Sequence, residues 1–202
     1  MGLSQHTAPV ALREQLCKLL EPSGCVGDTT LVDMTLGISS LWGSGFRELA
    51  FLSTCNRLEV YGVPNGTNGA PREFVVGLLA ELGDLPRDEL EPHIYHKEDR
   101  EAVGHLLRVA CGLDSQLLGE TQILGQVSQA FASARSMGTS GPLLTYLFSR
   151  AAHAGKRARS ETGISRGSTS ISQAAVTLLE KELGDLSSRN VLVVGAGETA
   201  EL

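Results

Sequence analysis

Ser53-Thr54-Cys55-Asn56-Arg57-Leu58-Glu59-Val60-Tyr61 is the stretch on which the reading of this chain turns. Leu49-Ala50-Phe51-Leu52 just before it is an apolar run of buried-strand length. Leu58-Glu59-Val60-Tyr61 alternates apolar and polar side chains, the pattern of a strand with one covered face. Together they place Cys55 in a polar turn between two strands, with Arg57 two residues on. A structural role is the commoner one for an isolated cysteine. A thiol at a strand end beside a cation is also the setting of a nucleophile, because nearby positive charge favours the thiolate.

Helical spacing surrounds this core. Leu12, Leu16, Leu19 and Leu20 predict a helix over 8–20, opened by Pro9 and followed by Gly24. Residues 21–45 are rich in Gly and Ser with little periodicity, and 62–71 form a turn-rich connector. A short helix is expected from Phe74 to Leu82. Asp99 is placed to cap a helix carrying Ala102, Val103, Leu106, Leu107 and Ala110, with His105 at the edge of its apolar stripe. After a break at Gly112–Ser115, Ile123, Leu124, Val127, Ala130 and Phe131 share one helical face. Gln122 and Gln126 share a neighbouring one. A third helix carries Leu144, Leu147, Phe148 and Ala151.

The 202 residues are 42% hydrophobic and 20% charged, which fits a soluble globular protein with one good core and part of a second domain. No apolar run approaches the ~18 residues of a membrane span, and the N-terminus lacks the basic and apolar regions of a signal peptide. Cys17, Cys25, Cys55 and Cys111 are scattered without metal-ligand spacing, which suits free thiols in a reducing cytoplasm and predicts no metal site. Net charge is −6, yet residues 150–166 hold Arg150, Lys156, Arg157, Arg159 and Arg166 against Glu161 alone. Such a stripe is either a solvated helix face or a landing strip for a polyanion.

Residues 163–170 read as a linker, dividing a first domain, 1–162, from a second unit, 171–202. Ser170 and Gln173 have capping-box spacing for a helix through Ile171, Ala174, Ala175, Leu178 and Leu179. Val191–Val194 is a short β-branched run leading into Gly195-Ala196-Gly197-Glu198-Thr199-Ala200. A G-x-G-x-x-A turn after a strand is the dinucleotide fingerprint: Gly195 allows the tight turn, and Gly197 lets the backbone approach a pyrophosphate. One strand and one turn cannot make a doubly wound sheet, so the sequence is expected to stop inside a domain that continues. The fold expected is an α+β domain, a small sheet plus helices, followed by the first strand and turn of an α/β Rossmann-type nucleotide-binding domain.

Three blocks then resemble one family, the glutamyl-tRNA reductases of the five-carbon route to tetrapyrroles. They are Gly2-Leu3-Ser4-Gln5-His6-Thr7-Ala8-Pro9-Val10, Ser53–Glu59, and His105–Ser115 continuing through Leu118-Gly119-Glu120-Thr121-Gln122-Ile123-Leu124-Gly125-Gln126-Val127. The terminal Gly195–Leu202 stretch resembles that family's cofactor turn. Two departures are visible: the short strand usual before the Gly-Leu-Ser block is absent, and most of the cofactor domain and all of the dimerisation domain are missing. Thr121 also stands where many relatives carry Pro or Gly.

The resemblance implies NADPH-dependent reduction of glutamyl-tRNA(Glu) to glutamate-1-semialdehyde, the first step toward 5-aminolevulinate and porphyrins, by a cytoplasmic enzyme. It implies Cys55 as the nucleophile that forms a thioester, and His105 as its helper in proton transfer or orientation. Substrate contacts would come from Thr54, Cys55, Asn56, Arg57, Ser115, Glu120, Thr121, Gln122 and Gln126, with Arg57 on the substrate carboxylate and Glu120 on its amino group. Gly195, Ala196, Gly197, Glu198, Thr199 and Ala200 would hold NADPH. A homodimer is expected of the full-length protein, and the tRNA backbone is the natural partner of the basic stripe. His6, His93, His96 and His153, with Cys17, Cys25 and Cys111, are left as structural or surface groups. Two other classes stay open: a thiol-dependent reductase of a small activated acid, and a non-catalytic tRNA-binding relative.

Overall fold

The protein is described here by a computed structural model covering residues 1–20, 45–66, 71–164, 171–187, 189–190 and 192. Its centre is a three-stranded antiparallel sheet of order β1-β3-β2, with β1 Gly2–Ser4, β2 Phe46–Thr54 and β3 Arg57–Pro64. Strands β2 and β3 pair in register from Thr54↔Arg57 to Leu49↔Gly62, so Cys55-Asn56 is a two-residue hairpin loop. The block Gly2–Ser4 is itself β1, pairing Leu3 with Leu58 and Ser4 with Arg57. Gly2 also bridges to Tyr95 on its other side, through N–H···O bonds of 3.1 and 2.8 Å. A Cβ on Gly2 would lie 2.4 Å from the Leu58 carbonyl oxygen, so only glycine admits this close pairing.

Helices cover both sheet faces, and the two-residue period of the strands sorts side chains between them. Leu49, Phe51, Leu58 and Val60 join the first cluster, with Leu12 and Leu16 of α1 (Val10–Leu20) and Val75, Val76 and Leu79 of α2 (Pro71–Gly83). A short helix, α3 (Arg87–Leu90), and a 3-10 turn at Glu91–His93 close that side with Leu90 and Ile94. Ala50, Leu52 and Tyr61 join the second cluster, with α4 (Asp99–Ala110), α5 (Gln122–Ser136) and α6 (Pro142–Glu161). Leu52, Leu58, Leu79, Leu106 and Val109 are fully buried, each contributing on the order of 2 kcal/mol of apolar transfer.

The antiparallel sheet with packed helices meets the α+β expectation for the first domain. The helices fall where their apolar spacing put them, but three expectations change. The alternation over Leu58–Tyr61 suggested an open polar face, whereas α4–α6 cover it and every residue from Arg57 to Tyr61 is buried. Asp99 does not cap α4: it is the first helical residue, at φ +44, and the position before it, Glu98, makes no side-chain cap bond. The connector over 62–71 is shorter than predicted, since β3 runs to Pro64 and α2 begins at Pro71. Helix α7 spans Ile171–Leu183, while Ser170, the rest of the expected Val191–Val194 strand and the Gly195–Ala200 turn lie outside the described residues; Leu192, which is described, is exposed and in no strand.

One polar link ties the layers together. Glu48 of β2 is buried, and its two oxygens accept from the backbone N–H groups of Leu143 at 3.2 Å and Leu144 at 2.7 Å. These are donors with no partner inside the helix, at an end that favours negative charge, next to Pro142 in the first turn. Glu48→Ala is expected to cost roughly 2 kcal/mol by stranding both donors. Urea unfolding should show a lower midpoint at unchanged slope, with Glu48→Gln milder because it keeps an acceptor.

Candidate active site

Cys55 is exposed at the tip of the β2–β3 hairpin, and its turn is held from three directions. Within the turn, the buried Thr54 hydroxyl accepts from the N–H groups of Asn56 and Arg57, both at 3.2 Å. From the segment after β1, the Gln5 N–H donates to the Asn56 carbonyl at 2.9 Å. From α1, Arg13 Nη1 donates to the Cys55 carbonyl at 3.0 Å and to Asn56 Oδ1 at 2.9 Å. A two-residue loop with this many fixed groups presents its thiol in a defined direction.

Below the turn, Arg57, Glu59 and Tyr61 follow one another at two-residue spacing on the same face of β3. The Glu59 carboxylate is 1% exposed and collects four side-chain donors. Oε1 accepts from Arg57 Nη1 at 2.7 Å, from the Tyr95 hydroxyl and from His105 Nε2 at 2.9 Å; Oε2 accepts from the Tyr61 hydroxyl. Burial pushes the Glu59 pKa up, but the His105 bond and the Arg57 charge outweigh it and bring it to about 2. Burial and the facing carboxylate both hold the Tyr61 and Tyr95 phenols well above their usual range, so both stay donors. Because the ionised carboxylate can only accept, His105 must carry its proton on Nε2.

Arg57 is also 1% exposed and is shared between two carboxylates. Besides Glu59, Nη1 reaches Asp114 Oδ2 at 3.0 Å, and Nη2 reaches the Asp114 carbonyl at 2.6 Å. Burial works against its charge, and Glu59 with Asp114 more than restores it. The cation that the sequence places beside the thiol is therefore already compensated.

Asp114 opens the segment that carries Ser115, Glu120 and Thr121. Gln5 Nε2 donates to the Asp114 carbonyl at 2.8 Å, so the start of the chain, the hairpin and this loop converge on Arg57. The loop is shaped by Gly112 at φ +74 and Gly119 at φ +79. A Cβ on Gly119 would fall 2.1 Å from the Ile164 carbonyl oxygen. Arg159 of α6 fastens the far end, donating from Nη2 to the Glu120 carbonyl at 2.8 Å and from Nη1 to the Ala110 carbonyl at 3.1 Å.

Among the sequence-predicted residues, Thr54, Cys55, Asn56 and Arg57 share the turn, and Arg57 connects them to His105 through Glu59 and to Ser115 through Asp114. Ser115 Oγ and Gln5 Oε1 are buried with no hydrogen-bond partner among the described residues, leaving two unmet polar groups beside the loop. Gln122 is exposed and Gln126 half-buried, on the opening turns of α5. The basic stripe divides: Arg159 is spent on the loop, Arg157 pairs with Glu161 through two 2.8 Å bonds, and Arg150 lies over the Tyr146 ring. Arg166 lies outside the described residues.

Arg13, Gln5, Glu59, Tyr61, Tyr95 and Asp114 were not singled out from the sequence. The signal for Glu59 and Tyr61 was available, since charged and phenolic groups at two-residue spacing from Arg57 must share its face. A cavity of about 700 Å³ touches Glu59, Tyr95 and His105 from behind, lined otherwise by groups such as Val63, Val103, Leu144 and Tyr146. It runs toward the opposite end of the hairpin, at Phe46 and Gly62–Pro64, and Cys55 is not in its wall. Among the described residues no cluster of three His, Cys, Asp or Glu side chains is placed to hold a metal ion, and no helix is long and apolar enough to cross a membrane.

The depressed Glu59 pKa carries a stability consequence. Its contribution is full above its ordinary value of 4.5 and is lost as pH falls toward about 2. At ~1.4 kcal/mol per pH unit, that is roughly 3 kcal/mol. The stability gap between the wild type and Glu59→Gln is expected to be largest near neutrality and to shrink by this amount between pH 4.5 and pH 2. Urea titrations at a series of pH values check it, and a gap independent of pH contradicts it.

Residues 1–162 match the family described as glutamyl-tRNAGlu reductase, N-terminal domain. Glutamyl-tRNA reductase of Desulforudis audaxviator is 43% identical over 202 residues, covering 100% of this chain and 43% of that relative. That of Syntrophotalea carbinolica is 42% identical over 206 aligned positions, with the same coverage. Among solved structures, glutamyl-tRNA reductase from Methanopyrus kandleri superposes with a TM-score of 0.61 at 38% identity, over 99% of this chain and 43% of that one. The chain thus spans about 43% of the length of the relatives it matches. A match over four-fifths of its residues, with the hairpin, the loop and helices α1–α6 all inside it, means that this chain belongs to the glutamyl-tRNA reductase family.

Proposed function

We propose that this chain is the part of a glutamyl-tRNA reductase that takes the glutamyl group from its tRNA onto Cys55. The Cys55 thiolate attacks the aminoacyl ester carbonyl, a C–S bond forms, and the C–O bond to the terminal ribose breaks. The departing ribose oxygen takes a proton and free tRNA leaves. A thioester accepts hydride more readily than a carboxylate, so covalent capture divides one hard reduction into two easier steps. NADPH, when bound, supplies the hydride; Gly195–Ala200 is the segment that would hold it. The product is glutamate-1-semialdehyde, the thiolate is regenerated, and the reaction opens tetrapyrrole synthesis in the cytoplasm of the source cell.

The observation that carries this reading is the exposed Cys55 at a turn fixed by Thr54, Arg13 and Gln5, directly above the Arg57–Glu59–His105 network. In the proposal, Arg57 receives the substrate side-chain carboxylate in place of Asp114, the more exposed member of that pair at 26% against 1%. The unsatisfied Ser115 hydroxyl and the nearby Glu120 and Gln126 then face the amino acid. His105, oriented by Glu59, assists the proton movement or holds the reacting group in place. Thr121 and Gln122 complete the rim at the start of α5. The exposed Arg150 and Lys156 are the cations of the stripe best placed to meet tRNA phosphates, and the full-length protein is taken as a homodimer.

Mixing the protein with glutamyl-tRNA bearing labelled glutamate tests the proposal. Label should stay on the protein in the absence of NADPH and be lost in Cys55→Ser. Transfer from a small glutamyl thioester but not from tRNA would replace the tRNA substrate with a small activated acid. Tight tRNA binding with no transfer at all would reduce the chain to a binding relative.

A further inference from the structure

The network below the thiol leaves one cation unaccounted for. Arg13 closes the first turn of α1 and is 6% exposed, a burial that arginine seldom reaches without an anionic partner. Its partners are neutral acceptors: Nε donates to the Ala8 carbonyl at 3.3 Å, and Nη1 to the Cys55 carbonyl and Asn56 Oδ1. Among the described residues it makes no ion pair. Arg57, one residue past the turn, is held between Glu59 and Asp114 and contributes little net positive charge.

The other ionisable groups near the turn belong to the same compensated set. Asp114 faces it from the loop, with His6 Nε2 at 3.9 Å from its other oxygen; Glu59 and His105 lie behind Arg57, and Glu120 is further along the loop. Removing a cation from water without an anion costs several kcal/mol, which three neutral hydrogen bonds offset only in part. A negative charge arising at the turn would complete the balance.

We propose that Arg13 is the positioning residue of the nucleophile: it locks the Cys55-Asn56 turn through the Cys55 carbonyl and supplies the unpaired positive charge that favours the Cys55 thiolate. This rests on the reading of Cys55 as the capturing thiol. The carbonyl that Arg13 grips belongs to the same residue as the reacting sulfur, so the charge lies within one residue of it. At such range a partly buried cation shifts an ionisation by on the order of one pH unit or more. The same bond fixes the peptide plane from which the thiol projects, so loss of Arg13 should slow capture more than it weakens substrate binding.

The test uses the full-length reductase and Arg13→Met, Arg13→Gln and Arg13→Lys. The rate of iodoacetamide labelling at Cys55 is followed against pH, with Cys55→Ser as the blank. Folding is checked by thermal unfolding, and Arg13→Gln substitutes for Arg13→Met if the latter does not fold. The neutral variants should raise the labelling midpoint by about one pH unit, and Arg13→Lys should bring it back. In single-turnover capture from glutamyl-tRNA, the neutral variants should lose roughly tenfold or more in rate, with the half-saturating concentration changed by less than about threefold. An unchanged midpoint in the neutral variants, or Arg13→Lys as displaced as Arg13→Met, overturns the inference. The two readings fail separately: a wild type that takes no glutamyl group refutes capture, while the labelling midpoint alone decides Arg13.

Discussion

A single buried carboxylate organises this protein. Glu59 sits at the middle of the central strand, out of water, and accepts from an arginine, a histidine and two tyrosines drawn from β3, the 3-10 exit and α4. A buried carboxylate is tolerable only if it is fully hydrogen-bonded and charge-compensated. That requirement dictates where each donor must be. It puts Tyr95 across β1 from Glu59, which the Gly2 bridge to Tyr95 makes possible. It turns His105, at the edge of an apolar stripe, inward toward the sheet. It holds Arg57 flat beneath the hairpin, from where Arg57 catches the Asp114 segment.

Seen this way, the site is layered by charge. At the bottom are Glu59 and its donors, buried between the sheet and the helices. Next comes Arg57 with Asp114, an ion pair with one partly exposed partner. At the top is the Cys55 turn, gripped by Arg13 from the opposite helical layer. Helix α1 on one sheet face thus holds the Cys55 turn, while α4 on the other holds His105 against Glu59. The loop between α4 and α5 joins the two through Gln5, Arg57 and Arg159. Gly112 and Gly119 give it the backbone angles that no other residue adopts easily.

Much of this was legible in the residues and some was not, for physical reasons. The strand–turn–strand around Cys55 and the helices with clear 3.6-residue periodicity emerge from pattern alone, because apolar spacing reports burial directly. Alternation over Leu58–Tyr61 was misleading: the same pattern fits a strand with one wet face and a strand with one apolar and one networked polar face. Asp99 has the composition of a cap, yet the chain enters α4 one residue earlier. Arg13, Tyr95 and Asp114 act across 36 or more positions of sequence, a distance over which composition carries no information. Arg159 looked like part of a polyanion-binding stripe, but nearby carbonyls of the loop claim it first.

The central claim is that the turn at Cys55 is a covalent capture site, and the most direct measurement locates the captured group. Full-length protein is mixed with glutamyl-tRNA without NADPH, quenched in acid, digested with trypsin and mapped by mass spectrometry. The account predicts the glutamyl group on the peptide Glu48–Arg57, attached through Cys55 and released by hydroxylamine. A glutamyl group found only on the Cys111 peptide, or on none, would contradict it.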